Sequence, residues 1–229
     1  MTTNPTAETV PHPYTREMVM IHRVFRRESR VLAELVQDVR PGDSGRAAVL
    51  AEAWRGYAAG LHQHHTGEDE LLWPRLLARV DLDAELVLRM EAQHRELSAS
   101  LEQVELLLAR WAPGAPDAER DELAEALYGH HRTLCAHLDE EERDVMPLVA
   151  RYVTEEEWRA VGERGLAGTP RNRIMIALGA ILEDASEDER TEFLRRLPGS
   201  ARLAWHLVGR RQYSRETRRI RGTDRNGAA

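Results

Sequence analysis

Two stretches of this chain place an imidazole and a carboxylate four residues apart: His64 with Glu68, and His137 with Glu141. Each is followed six residues after the glutamate by a proline, Pro74 and Pro147, and the two copies stand at a constant offset of 73. Residues i and i+4 share one face of a helix, one turn apart. Each copy therefore presents a nitrogen and an oxygen donor side by side, and its proline ends or kinks the helix. A second pair of histidines repeats at an offset of 72: His22 behind Met18 and His94 behind Met90. Imidazole and carboxylate together suit iron, manganese or zinc. Two inward carboxylates can bridge two metals, with the four histidines as terminal ligands, two to each. No residue declares itself a nucleophile or general acid, so no catalytic residue is assigned.

The elements that must position these groups are helices. Strand-forming residues are sparse, and Ala, Leu, Glu and Arg dominate. A first helix is expected from about Tyr14 to Val39, before Pro41-Gly42, with a stripe of Met18, His22, Phe25, Ser29, Leu32, Val36 and Val39. A second, capped near Asp43-Ser44, carries Leu50, Trp54, Tyr57, Leu61, His64, Glu68 and Leu71. A third, about Asp83 to Trp111, carries Leu86, Met90, His94, Leu97, Leu101, Val104 and Leu108. Pro113-Gly114-Ala115-Pro116 breaks the chain, and a fourth from near Asp117 carries Leu123, Leu127, His130, Leu134, His137 and Glu141. Steps of three and four are those of helices around a shared core. The expected fold is all-α: an antiparallel up-down four-helix bundle over residues 14–151, built as two pseudo-repeated hairpins, since Leu50 through Pro74 matches Leu123 through Pro147 position by position. Residues 1–13 are expected to be flexible. Residues 152–220 are expected to form a helical extension, opened by capping boxes at Thr154–Glu157 and Ser186–Glu189, and 221–229 a disordered tail.

Composition limits the alternatives. Hydrophobic residues make up 42% and charged residues 31%, and no run approaches the roughly 18 apolar residues of a membrane span. With no secretory pattern at the start, a cytoplasmic protein is expected. The single cysteine, Cys135, excludes an intramolecular disulfide and a zinc–thiolate cluster. All 32 basic residues are arginine. Residues 201–229 hold eight of them against two acidic residues, about +6, which leaves the rest at about −13 of the net −7. This basic end is expected either to dock on the chain's own acidic body or simply to stay solvated. Nucleic acid is not expected, because no reading motif accompanies the charge.

Two glutamates and four histidines on inward stripes would cost several kcal/mol each if left unpaired, a penalty that metal removes. A lone histidine there is ordinarily a hydrogen-bonded core residue; six positions recurring as a set are not. Tyr57 and His130 lie two turns before His64 and His137, about 10 Å along the axis. That is too far to ligate, but close enough to line a channel, relay a proton or close the core around the centre. Met18 and Met90 read as core. His62, His65 and His131 match no histidine across the repeat and are expected to be exposed, His12 and His206 are uninformative, and Cys135 reads as a buried, inert thiol.

The pattern His22, His64-x-x-x-Glu68, His94, His137-x-x-x-Glu141, with Trp-Pro and Met-Pro after the glutamates, resembles the hemerythrin-like HHE cation-binding domain. The likeness covers the bundle, and the remaining third looks like the extension of some bacterial members. The resemblance implies a non-haem centre of two iron ions, bridged by the two carboxylates and an oxo or hydroxo group, that meets O2, hydrogen peroxide or nitric oxide. The chain departs from the oxygen-carrying hemerythrins at Met90, where those carry a further histidine one turn before His94. It departs again at Glu142, where those use an aspartate as ligand. The internal repeat favours Glu141 as the ligand and sets Glu142 beside Asp69 on the outside. One histidine fewer implies an open coordination position, suited to redox turnover of a small oxidant rather than to reversible oxygen storage. The alternatives are a non-catalytic redox sensor or iron-buffering module whose metal state alters docking of the Arg-rich end, and a metal-free helical scaffold. A reductant must come from elsewhere, since no dinucleotide-type glycine loop is present.

Overall fold

The computed structural model describes residues 15–79 and 84–222, and every regular element among them is helical. The N-terminal segment 1–13 with His12, the expected helix starts at Tyr14 and Asp83, and residues 223–229 of the tail lie outside the described residues. Among the described residues no helix is long and apolar enough to cross a membrane.

Four long helices follow the expected stripes closely: α1 (Arg16–Gln37), α2 (Ser44–Leu71), α4 (Ala84–Trp111) and α5 (Asp117–Glu140). Short α3 (Trp73–Leu77) continues from α2, and α6 (Met146–Tyr152) from α5. All seven residues of the first stripe are buried, from Met18 to Val39. Asp43 caps α2 by accepting from the Arg46 N–H at 2.9 Å, directly after a turn in which Gly42 takes φ +81°, the left-handed region open to glycine. α1 packs on α2 and α5, and α4 packs on the same two, so the four long helices meet in a closed cycle.

The two prolines are accommodated differently. Before Pro74 the chain breaks at Leu72 and restarts as α3. Before Pro147 the helix widens instead: residues Glu141–Val145 form a π turn, and the Met146 N–H reaches back to the Glu141 carbonyl. Proline has no N–H to give a helical ladder, and either device absorbs the loss.

The interior is layered. One apolar cluster contains Phe25, Leu61, Leu97, Leu134 and Leu138. A second contains Met18, Leu72, Met90 and Val145. In all four helical runs a set of inward histidines and glutamates falls between these two clusters: His22 between Met18 and Phe25, Glu68 between Leu61 and Leu72, His94 between Met90 and Leu97, His137 and Glu141 between Leu134 and Val145; buried His130 lies instead within the span of the first cluster, between Leu127 and Leu134. A polar layer is thus held between two apolar ones.

The remaining elements are α7 (Glu155–Ala167), α8 (Ile174–Glu183), α9 (Glu187–Arg196), α10 (Gly199–Ala204), a π turn at Trp205–Gly209 and α11 (Arg210–Arg221). Both expected capping boxes form, on Thr154 with Glu157 and on Ser186 with Glu189. The basic end docks on the acidic body. Arg219 pairs with Glu52 at 3.0 Å and Glu216 at 2.9 Å; Arg221 bonds to Glu183 at 2.6 Å and to Glu28 on α1. Tyr213 lies flat over Gly179 of α8, where an added Cβ would fall 2.2 Å from the Tyr213 ring. Gly179→Ala is therefore expected to push α11 off α8, at roughly 1–3 kcal/mol. Hydrogen exchange should show faster amides over residues 210–221 and unchanged protection over α2; unchanged exchange in α11 would refute this packing.

Candidate metal centre

The polar layer contains seven ionisable side chains, each from a position its helix turns inward: His22 on α1; His64, His65 and Glu68 on α2; His94 on α4; His137 at the end of α5; and Glu141 as first residue of the π turn. Six are buried and His64 is mostly so, its side chain keeping only 8% of its surface. Their donor atoms gather in two groups. His22, His64, Glu68 and Glu141 form one; His65, His94 and His137 form the other; within each, the ligand atoms lie within 4.8 Å of one another.

Both carboxylates touch both groups. Glu68 Oε1 is 3.4 Å from His64 Nε2, while its Oε2 is 3.6 Å from His94 Nε2. Glu141 Oε2 is 3.4 Å from His22 Nε2 and 3.8 Å from His137 Nε2. The imidazoles pack edge and face: His65 stacks on His94 at 4.0 Å between centroids, and His22 meets His64 edge-on at 5.1 Å.

The outward nitrogens of three histidines are fixed. His94 Nδ1 donates to Asp69 at 2.8 Å, His22 Nδ1 to Glu142 at 2.9 Å, and His137 Nδ1 to Gln93 Oε1 at 2.8 Å. Gln93 is oriented in turn by giving its amide to Glu140 at 2.7 Å, and Glu142 by Arg26 at 2.6 Å. With Nδ1 protonated, Nε2 is left as a bare lone pair facing inward, the arrangement in which a histidine ligates metal. The carboxylate after each inward glutamate thus steers the histidine of the other hairpin: Asp69 on α2 holds His94, and Glu142, after α5, holds His22.

The electrostatics of this layer suit a cation. Burial pulls His64 and His65 well below the usual imidazole value, and His137 to about 3. Burial, reinforced by Glu141, pushes Glu68 well above the ordinary carboxylate range, and burial raises Glu141 too. Glu142 goes the other way: burial opposes its charge, but hydrogen bonds from His22 and Arg26 hold it below normal. That contrast, with Glu141 inward and Glu142 outward, agrees with the repeat. The clearest sign of a missing partner is the set of buried atoms without any hydrogen bond: both oxygens of Glu68 and of Glu141, and Nε2 of His65, His94 and His137. Seven orphaned donor atoms converging on one layer would cost a few kcal/mol each without a ligand, and the donor set, five nitrogens and two carboxylates, fits a pair of transition-metal ions.

The family-model comparison gives the same answer: the model of the hemerythrin HHE cation binding domain matches residues 14–149. The chain belongs to that family. Members bind metal ions, typically iron. Neither curated proteins nor solved structures give a match.

Several expectations need correction. His65 is buried, 4% exposed, and it sits within the second donor group. It sets a fifth imidazole against His94, from a helix other than the one that carries Met90. Met90 itself is buried core beside Met18 and Trp73. The expected two-plus-two division of histidines becomes two plus three, and the second group draws on both hairpins. His65 was detectable: its repeat mate is Leu138, fully buried, and it lies i,i+3 from Glu68 on one face. His131 is only partly exposed and bonds Ser29 at 2.8 Å, while His62 is exposed as expected. Cys135 is half-buried rather than buried, 3.7 Å from the His131 ring, and belongs to neither donor group. Asp69→Ala and Glu142→Ala are each expected to weaken metal affinity by roughly 10–100-fold, read by competition with a chromophoric chelator; unchanged affinity in both would discard the steering role.

Proposed function

We propose that the chain is a non-haem di-iron protein that binds or turns over a small oxidant: O2, hydrogen peroxide or nitric oxide. The observation that carries this reading is the convergence of orphaned Glu68, Glu141, His65, His94 and His137 atoms in a dry layer, beside His22 and His64. His22 and His64 would hold one ion, and His65, His94 and His137 the other. Glu68 and Glu141, each within 4 Å of both groups, would bridge them. Manganese or zinc fits the same donors, and zinc, with no redox chemistry of its own, would not turn over an oxidant. An iron pair so bound supplies redox chemistry toward small oxygen and nitrogen species.

The chain's own contribution is positioning and exclusion. Asp69, Glu142 and Gln93 hold three imidazoles so that Nε2 points inward. The apolar layers on either side keep bulk water and large substrates away. The unequal histidine count makes the two positions chemically distinct, and the one with two histidines is where a small ligand would find room. Because His65 completes a five-histidine set, the histidine count no longer argues for turnover over reversible binding. In this reading residues 14–151 act as an antiparallel four-helix bundle, and 152–220 as an extension covering it.

Protein purified after growth with iron should contain two irons per chain and show a near-ultraviolet charge-transfer band. Removing the metal by chelation should lower the melting temperature, since binding energy is partly folding energy. Glu68→Ala combined with Glu141→Ala should remove both the band and that stabilisation. Consumption of excess peroxide over many cycles would mark an oxidoreductase, and loss of one equivalent per centre a carrier or sensor. A chain that takes up no iron would refute the proposal.

A further inference from the structure

Two turns along the helices from His64 and His137 the core holds a second polar group, which belongs to neither donor group. Tyr57 on α2 and His130 on α5, mates across the repeat, face each other: the phenol oxygen is 2.7 Å from His130 Nε2, with both residues buried. His130 Nδ1 is 2.7 Å from Ser100 Oγ, and Ser100 gives its own proton to the Leu97 carbonyl at 2.7 Å. Both Ser100 contacts are satisfied together only if His130 carries its proton on Nδ1. Nε2 is then a bare acceptor, and the Tyr57 O–H donates to it. Burial, with His131 nearby, holds His130 down to about 4, so it is neutral at ordinary pH.

The same tyrosine is linked to the metal layer by aromatic rings. Phe25 lies edge-on to Tyr57 at 6.1 Å and tilted against His64 at 5.2 Å. Trp54 also packs on Tyr57, at 5.1 Å, but its buried indole N–H has no hydrogen-bond partner, so an oxidised indole would have nowhere to send its proton. A phenol becomes far more acidic when it loses an electron, and of these two rings it is Tyr57 that has a base already in place.

We propose that Tyr57 is a redox-active residue serving the centre, giving one electron toward it by way of Phe25 and His64 while its proton passes to His130 Nε2. This rests on the iron reading above. With hydrogen peroxide as oxidant the step balances: peroxide takes two electrons and two protons and yields two waters. The iron pair supplies one electron and Tyr57 the other. The phenol O–H bond breaks, its proton ends on His130 as imidazolium, and the protons for water come from solvent. Tyr57 is left as a neutral phenoxyl radical.

The test is electron paramagnetic resonance of the iron-loaded full chain, frozen after one equivalent of hydrogen peroxide. An organic radical signal is expected that narrows with ring-deuterated tyrosine and vanishes in Tyr57→Phe at unchanged iron content. His130→Gln, which can accept the hydrogen bond but not keep the proton, should slow radical formation by roughly 10²-fold. Replacing Tyr57 by 3,5-difluorotyrosine preserves the packing and should add fluorine splitting to the signal. A signal identical in Tyr57→Phe, no fluorine splitting, or no radical while the irons are bound and peroxide is consumed would overturn the role of Tyr57 and leave the iron reading intact. Absence of iron uptake would overturn both.

Discussion

Carboxylates and imidazoles without partners do not stay in a dry protein core unless something offsets their desolvation, and that constraint organises this molecule. Glu68 and Glu141 lie among leucines, methionines and tryptophans, fully buried, with no hydrogen bond to either oxygen. The apolar layers above and below make this expensive, because they remove the water that would otherwise solvate the charge. They also make it useful, because a cation in the same low-dielectric layer is held more strongly than it would be in water. The helices, their prolines and their outer hydrogen bonds all act on this one layer.

Orientation is where the chain spends its less conspicuous polar residues. Asp69, Gln93 and Glu142 supply none of the inward donor atoms, yet by their hydrogen bonds they decide which nitrogen of His94, His137 and His22 is available. Arg26 and Glu140 hold those residues in turn. The π turn after Glu140 belongs to the same set of devices. It keeps Glu141 and Val145 both inward across a stretch whose proline would interrupt an α-helical ladder. Beyond the layer, the Tyr57–His130–Ser100 chain of hydrogen bonds shows the same principle applied to a proton instead of a metal.

Much of this was legible in the amino-acid order, for a physical reason: helical stripes repeat every three or four residues, and a duplicated hairpin shows each stripe twice. Positions polar in both copies on an otherwise apolar stripe stood out, which is how His22, His64, Glu68, His94, His137 and Glu141 were singled out. The same filter hid His65. Its mate is Leu138, so the pair is polar in only one copy, although a buried mate is itself a sign of an inward position. The π turn was not legible, since Pro74 and Pro147 carry the same local signal and the two halves absorb it differently. The charge asymmetry pointed to self-docking of the arginine-rich end, and Arg219 and Arg221 do pair with Glu52, Glu28 and Glu183. Which carboxylates they would choose depends on how α8 and α11 sit, and pattern alone does not set that.

The crosswise grip of Asp69 on His94 and Glu142 on His22 has a consequence for how such a fold can be assembled. Neither hairpin contains either donor group complete, and two of the three steered histidines, His94 and His22, are aimed from the other hairpin, while Gln93 aims His137 within its own. Half of the chain, standing alone, would be a pair of amphipathic helices with charges on the wrong face. It would recover a centre only by meeting a second copy of itself about a twofold axis, so the fused chain has the logic of a dimer whose two subunits have been joined. The halves are not identical, and His65 opposite Leu138 is where they differ, placing three imidazoles in one donor group against two in the other.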